Sequence, residues 1–210
     1  MLPRPSGSPQ VRTDLPVYGL DIETDTAVDG LDPATSRIVA VAVSTPDGDE
    51  VYDGDEASLL LRVDDALAGL APGILATWNG SNFDLPFMAR RAERVGVALG
   101  LSLRLDPSIV LRREPLAGES GAYRASWHRH SHLDGYRLYR SDVGRLLGLS
   151  CGLKPMAMLA GLAPVEVERS CLHLLEPSEV RAYVASDARV TRQLVLRRMP
   201  TAAAFADAVA

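Results

Sequence analysis

Two carboxylates, two positions apart at the end of an apolar strand, constrain this chain more than any other feature. In Val17-Tyr18-Gly19-Leu20-Asp21-Ile22-Glu23-Thr24, strand alternation sends Tyr18, Leu20 and Ile22 to one face and Asp21 and Glu23 to the other. The two acids then lie roughly 6–7 Å apart along the strand. Neighbouring carboxylates repel, and a divalent cation between them is the simplest remedy, since hard cations take oxygen ligands. The competing reading is a strand whose outer face is simply wet.

The order of elements that follows is mixed α/β. A polar loop over 25–36 leads to the β-branched run Arg37–Ser44, and Asp47-Gly48 turns the chain into a short strand at Glu50–Tyr52. Leu59, Leu60, Val63, Ala66, Leu67 and Leu70 follow helical spacing until Pro72-Gly73. A short strand over Ile74–Trp78 precedes a loop, then a helix opens near Asn82 or Asp84 with Pro86 in its first turn. A strand near Leu103–Leu105, another over Ser131–Tyr136, a helix to Leu147, a short helix at Lys154 and a long one from Pro177 complete the chain. Residues 1–16, with four prolines, read as a disordered leader; 17–199 read as one domain, with an inserted arm over 107–131 and a tail over 200–210. Within the arm, short strands at Ile109–Arg113 and Tyr123–His128 would make a protruding hairpin.

The last helix carries a buried charge. Val180, Tyr183, Val184, Asp187, Thr191 and Leu194 fall on one stripe, and that stripe should face the core. A carboxylate there costs several kcal/mol unless it is paired or metal-bound. Tyr183 lies one turn before Asp187, which puts its hydroxyl beside the carboxylate. A neighbouring arginine could also satisfy Asp187. Asp84 is the fourth acid, and taken alone it could be no more than a favourable charge at a helix start.

With these residues in place, a family resemblance becomes specific. Asp21-Ile-Glu23-Thr24, Asn79-Gly-Ser-Asn-Phe83-Asp84-Leu-Pro86 and Tyr183-Val-Ala-Ser-Asp187 resemble the three exonuclease motifs of DnaQ-like 3′–5′ exonucleases, part of the RNase H-like superfamily. The tyrosine (DEDDy) branch, with family B DNA polymerase proofreading domains, is the most similar; the histidine branch would need His where Ala182 stands. The resemblance covers about residues 17–198 and implies an RNase H-like fold with a central mixed five-stranded sheet flanked by helices. It implies that Asp21, Glu23, Asp84 and Asp187 hold two divalent cations, Mg²⁺ or Mn²⁺, with Tyr183 orienting the attacking water. Thr24, Asn79 and Phe83 match substrate-binding positions. The implied activity releases nucleoside 5′-monophosphates from 3′ ends, single-stranded DNA being favoured over RNA. The alternative is a non-catalytic RNase H-like nucleic-acid-binding or adaptor module. An unrelated glycosidase-like hydrolase would need two acids rather than four.

The net charge argues at first against a nucleic-acid partner, while its distribution along the chain is compatible with one. The net charge is −5, but residues 1–100 hold 7 Arg against 16 acids, whereas 101–150 hold 8 Arg against 5 acids. Arg112 and Arg113 in the arm are the candidate grip on the strand upstream of the free 3′ end. A polymerase or repair protein is the expected protein partner. No run approaches a membrane span, and Cys151 and Cys171 fit no metal spacing, so a cytoplasmic protein with reduced thiols is expected. His128, His130 and His132 alternate as a same-face trio, without a fourth ligand in view. Lys154 could meet a phosphate or water.

Overall fold

A computed structural model describes residues 15–198 other than residue 113. The first fourteen residues of the expected leader, residue 199 and the expected tail over 200–210 lie outside the described residues. Strands β1 (Val17–Thr24), β2 (Ile38–Ser44) and β3 (Asp49–Asp53) form an antiparallel meander, followed by α1 (Glu56–Gly69) and β4 (Ile74–Thr77). Helix α2 (Asp84–Val95) leads to β5 (Leu101–Leu105), β6 (Tyr123–Trp127) and β7 (His130–Asp134). Then come α3 (Gly135–Tyr139), a π-helical turn (Arg140–Gly144), α4 (Arg145–Leu147), α5 (Leu153–Leu159), a 3₁₀ segment (Arg169–Leu174) and α6 (Pro177–Arg197).

The sheet is mixed and has seven strands in the order β3-β2-β1-β4-β7-β6-β5, rather than five. Strand β1 runs parallel to β4, and β4 parallel to β7. The strands expected near Leu103–Leu105 and at Tyr123–His128 are present, but they pair with each other and so extend the sheet. Tyr123–Trp127 pairs antiparallel with Leu101–Leu105, setting Leu101 opposite Trp127 and Leu103 opposite Ala125. Cross-strand apolar pairs of this kind carry most of a sheet's side-chain stabilisation. The hairpin expected within the arm is therefore replaced by a longer one; residues 109–112 are not a strand.

Strand β1 alternates as its sequence predicts. Tyr18, Leu20 and Ile22 enter the main core with Leu59, Leu60 and Val63 of α1 and Leu85, Phe87 and Met88 of α2. On the other face, α6 lies over β1 and β2 against small residues: Ala40, Ala42 and Ala188 cluster with Val184. Gly19 makes this approach close, because a Cβ there would collide with the Ala188 carbonyl. Helix α6 starts at a reciprocal capping box between Glu176 and Glu179, with Pro177 in its first turn.

A buried ion pair ties the other layer together. The Arg91 guanidinium forks onto Glu56 at 2.8 and 2.6 Å and also donates to the Pro33 carbonyl at 2.9 Å. Glu56 in turn accepts from the Ile38 N–H at 2.7 Å, so α1, α2, β2 and the loop after β1 share one anchor.

The Gly19 contact yields a test. Gly19→Ala should cost about 1–3 kcal/mol, the usual range for overpacking against atoms that cannot yield. Gly69→Ala is the control, since its Cβ meets open space. Equal denaturant midpoints for the two variants would show that α6 does not depend on the contact.

Candidate active site

Three of the predicted acids meet. Asp21 and Glu23 on β1 and Asp187 on α6 each offer a carboxylate oxygen, and these oxygens lie within 4.8 Å of one another. Asp84, the first residue of α2, is buried and lines the same cleft as Asp21, Tyr183 and Asp187. It is not a side-chain cap; the N-cap is Phe83, which makes no capping hydrogen bond. The cleft holds about 2360 Å³, well beyond the roughly 300–1,000 Å³ of pockets built for small molecules.

The electrostatics follow from this crowding. Burial, then the charges of Asp187, Glu23 and Asp84, push the Asp21 carboxyl well above the carboxylate range. Solvent touches Asp21 in part, but at the cleft floor enough protein surrounds it for desolvation to dominate. Glu23 is pushed up to about 8, chiefly by burial, with Arg169 opposing and Asp187 adding to the rise. Asp84 rises to about 7 through burial, against the pull of backbone N–H groups and with Asp134 adding to the rise. Asp187 is raised by burial, while Lys154, Arg169 and the Tyr183 hydroxyl oppose. Burial and the Asp187 charge push Tyr183 up as well, so it remains a neutral phenol.

Two cations attend the acids. The Lys154 ammonium pairs with Asp187 and sits 4.4 Å from the centre of the Tyr183 ring. Arg169 lines the cleft, and its charge acts on all four carboxylates. Arg169 lies between the two last helices in a stretch without periodicity, so nothing in the sequence singled it out. Fully ionised, four acids against two cations would carry an excess of two negative charges on hard oxygen donors. That donor set fits divalent cations of the Mg²⁺ or Mn²⁺ type.

The remaining predicted residues divide. Asn79 lines the cleft in a left-handed conformation, φ 72°, and Phe83 lines it while packing 5.3 Å from the Phe87 ring. Thr24 turns its hydroxyl to the Gly30 carbonyl at 2.6 Å. Arg112 is exposed on the cleft wall; Arg113 lies outside the described residues. The loop that leads to Asp84 hangs on Asp134, whose carboxylate accepts from the N–H groups of Asn79 at 2.9 Å and Ser81 at 3.2 Å.

The three histidines do not assemble a site. His128 is in the β6–β7 turn beside Asp64, His130 bonds the Leu67 carbonyl, and His132 bonds the Thr77 hydroxyl at 2.8 Å. Burial pushes His132 down to about 3, so it is a neutral core residue.

The raised carboxyls fix a pH dependence. Their ordinary values are 4.5 for Glu23 and 3.8 for Asp84, against about 8 and 7 in the fold. Between those values the folded state holds protons that the unfolded chain has released, so stability falls progressively as pH rises from about 4 and levels off above about 8. Without added metal, the melting temperature should fall between about pH 4.5 and 8 and level off above, Glu23→Gln should flatten the fall, and saturating Mg²⁺ should reverse it. A wild-type profile that rises over this window would contradict the buried-acid geometry.

Comparison with known proteins comes to the same place. The sequence model for the DNA polymerase family B exonuclease domain matches residues 43–145, a span that includes Asp84 but not the other three acids. The catalytic subunit of DNA polymerase epsilon from Eremothecium gossypii is 27% identical over 147 residues, and that from Saccharomyces cerevisiae 26% over 149. These alignments take in 68% and 69% of this chain but only 6% of each polymerase protein. The family B DNA polymerase of Pyrobaculum calidifontis shares the fold, with a TM-score of 0.67 at 21% identity over 91% of this chain and 25% of that one. Over the matched span and in its architecture, the chain is thus similar to the exonuclease domains of family B DNA polymerases.

Proposed function

We propose that the chain is a metal-dependent 3′–5′ exonuclease that removes nucleoside 5′-monophosphates from the 3′ ends of DNA. One observation carries the reading: four carboxylates from β1, α2 and α6 converge in one cleft, where burial and mutual repulsion make them costly without cations. Two divalent cations, held by Asp21, Glu23, Asp84 and Asp187, would supply Lewis-acid stabilisation of the attacking and leaving oxygens of a phosphoryl transfer.

The chain's own groups do the rest. Water attacks the terminal phosphodiester, the bond from phosphorus to the 3′-oxygen breaks, and the shortened strand leaves with a new 3′-hydroxyl. Tyr183 is too weak an acid to serve as a phenolate base. Its role is to orient the water by a hydrogen bond. Lys154 and Arg169 bring positive charge to the place where phosphoryl oxygens gain charge in the transition state. Asn79, Phe83 and Thr24 are the proposed contacts to the terminal nucleotide, with Thr24 able to act once its bond to Gly30 is exchanged. The relatives are catalytic components of DNA polymerases, so DNA is the substrate, and a DNA polymerase the partner, to test first.

The test is digestion of end-labelled single-stranded DNA and RNA with Mg²⁺ or Mn²⁺. Asp187→Asn and Asp84→Asn should each lose hydrolysis. Tyr183→Phe should lower turnover by about 10²–10⁴-fold with little change in Mn²⁺ affinity by calorimetry. Intact oligonucleotide binding with no nucleotide release from the parent protein would make the chain a binding module instead.

A further inference from the structure

The charged side chains of this protein are mostly spoken for. Arg37, Arg90, Arg91, Arg181 and Arg189 each meet a carboxylate, and Arg192 donates to the Val17 carbonyl. Along one wall of the cleft the pattern changes. Arg137, Arg140 and Arg145 all line it, and among the described residues none of the three makes an ion pair or a side-chain hydrogen bond. Arg137 feels the buried charge of Asp134 but bonds it only through its backbone N–H.

Local geometry puts the three in a row. Arg137 and Arg140 are three apart, so they share a face where the helix is α. Arg140 and Arg145 are five apart, which in an α-helix would turn them about 140° from each other. Residues 140–144 are π-helical instead, and the i→i+5 pattern brings Arg145 back over Arg140. The turn is closely packed: Gly144 lies so near Cys151 that a Cβ would strike its sulfur, and the Cys151 carbonyl accepts from the Trp78 indole N–H at 2.9 Å. The Cys151 thiol feels both Arg140 and Arg112, so the arm's arginine stands near this row.

We propose that Arg137, Arg140 and Arg145, with Arg112 nearby, form a phosphate track for the strand leading to the cleaved 3′ end. The track rests on the nuclease reading and deepens it: the substrate is a single strand several nucleotides long, recognised by its phosphodiesters rather than its bases. Unpaired guanidiniums at successive positions match a chain of phosphates, because each can donate two parallel hydrogen bonds to one phosphate. The π-helical turn would then be a device for spacing the grip, in keeping with where such turns occur.

The experiment uses the full chain in EDTA, so that binding is read without cleavage. Anisotropy is measured with labelled ten-nucleotide DNA and RNA of one sequence, from about 50 to 200 mM salt. Arg140→Ala with Arg145→Ala should weaken binding at least tenfold at low salt and flatten the log–log salt slope by about 1.4, two single-strand phosphate contacts. DNA and RNA should lose alike, and hydrolysis of a dinucleotide with Mn²⁺ should match the parent. The control, Arg94→Ala with Arg104→Ala, removes two exposed arginines that do not line the cleft. An unchanged slope in the track variant, an equal loss in the control, or a loss confined to DNA or RNA would each overturn the track. Failure of the parent to cut the dinucleotide would sink the nuclease reading while leaving the binding comparison intact.

Discussion

The close seating of α6 on β1 is the contact on which the site depends, and it works against electrostatics. Bringing Asp187 within 4.8 Å of Asp21 and Glu23 sets three like charges together in a place where burial already penalises each. What holds the helix down is apolar: Val184 and Ala188 against Ala40 and Ala42, then Val195 with Val17, Ile74 and Leu133, and Leu194 with Tyr139 and Met156. Burial at roughly 25 cal/mol per Å² over several such side chains outweighs a repulsion that protonation can relieve. Small side chains at positions 19, 40, 42 and 188 are what let the surfaces meet at the required distance.

The attending cations set how the site behaves before a metal arrives. Lys154 neutralises Asp187 directly, and Arg169 lowers the cost of charge on all four acids. Both are single positive charges, so they offset only part of the cluster, and the remaining repulsion favours proton uptake or divalent ions. A cation bound at Asp187 would have to compete with Lys154, which would tie the freeing of that ammonium to cation binding. The Tyr183 ring beneath it gives the ammonium a second favourable contact through the ring's negative face.

Much of this was legible in the sequence where periodicity is strict. The β1 alternation placed Asp21 and Glu23 opposite Tyr18, Leu20 and Ile22, and the 3.6-residue stripe placed Asp187 on the buried face of α6 beside Tyr183. The polar loop, α1 and β4 were readable for the same local reasons. Residues whose place depends on distant pairing were not. Strands near Leu103–Leu105 and at Tyr123–His128 were readable one by one, but β5 and β6 are joined by seventeen intervening residues with no alternation, so their pairing with each other left no local trace. Arg169 reaches the acids from an irregular segment. The alternation of His128, His130 and His132 was real only for the last two, because His128 sits at φ 50° in the turn.

Asp134 shows how the two ends of the cleft are built as one piece. It ends β7, caps α3 and receives the N–H groups of Asn79 and Ser81, so a single buried carboxylate fixes both the turn before Asp84 and the start of the helix that carries Arg137. Backbone bonds relay the first half: Phe83 N–H donates to the Asn79 carbonyl at 3.0 Å, and Leu85 N–H to the Gly80 carbonyl at 3.2 Å. Gly80 is needed there, since a Cβ would run into Thr77. Asp134 is itself costly, raised by burial and close enough to Asp84 to add to its rise. A buried acid that satisfies three N–H donors is tolerable where an unpaired one is not, and removing it would leave those donors orphaned. The acid cluster and the arginine row therefore share an anchor at the end of β7, where one carboxylate ties the turn before Asp84 to the start of the helix that carries Arg137.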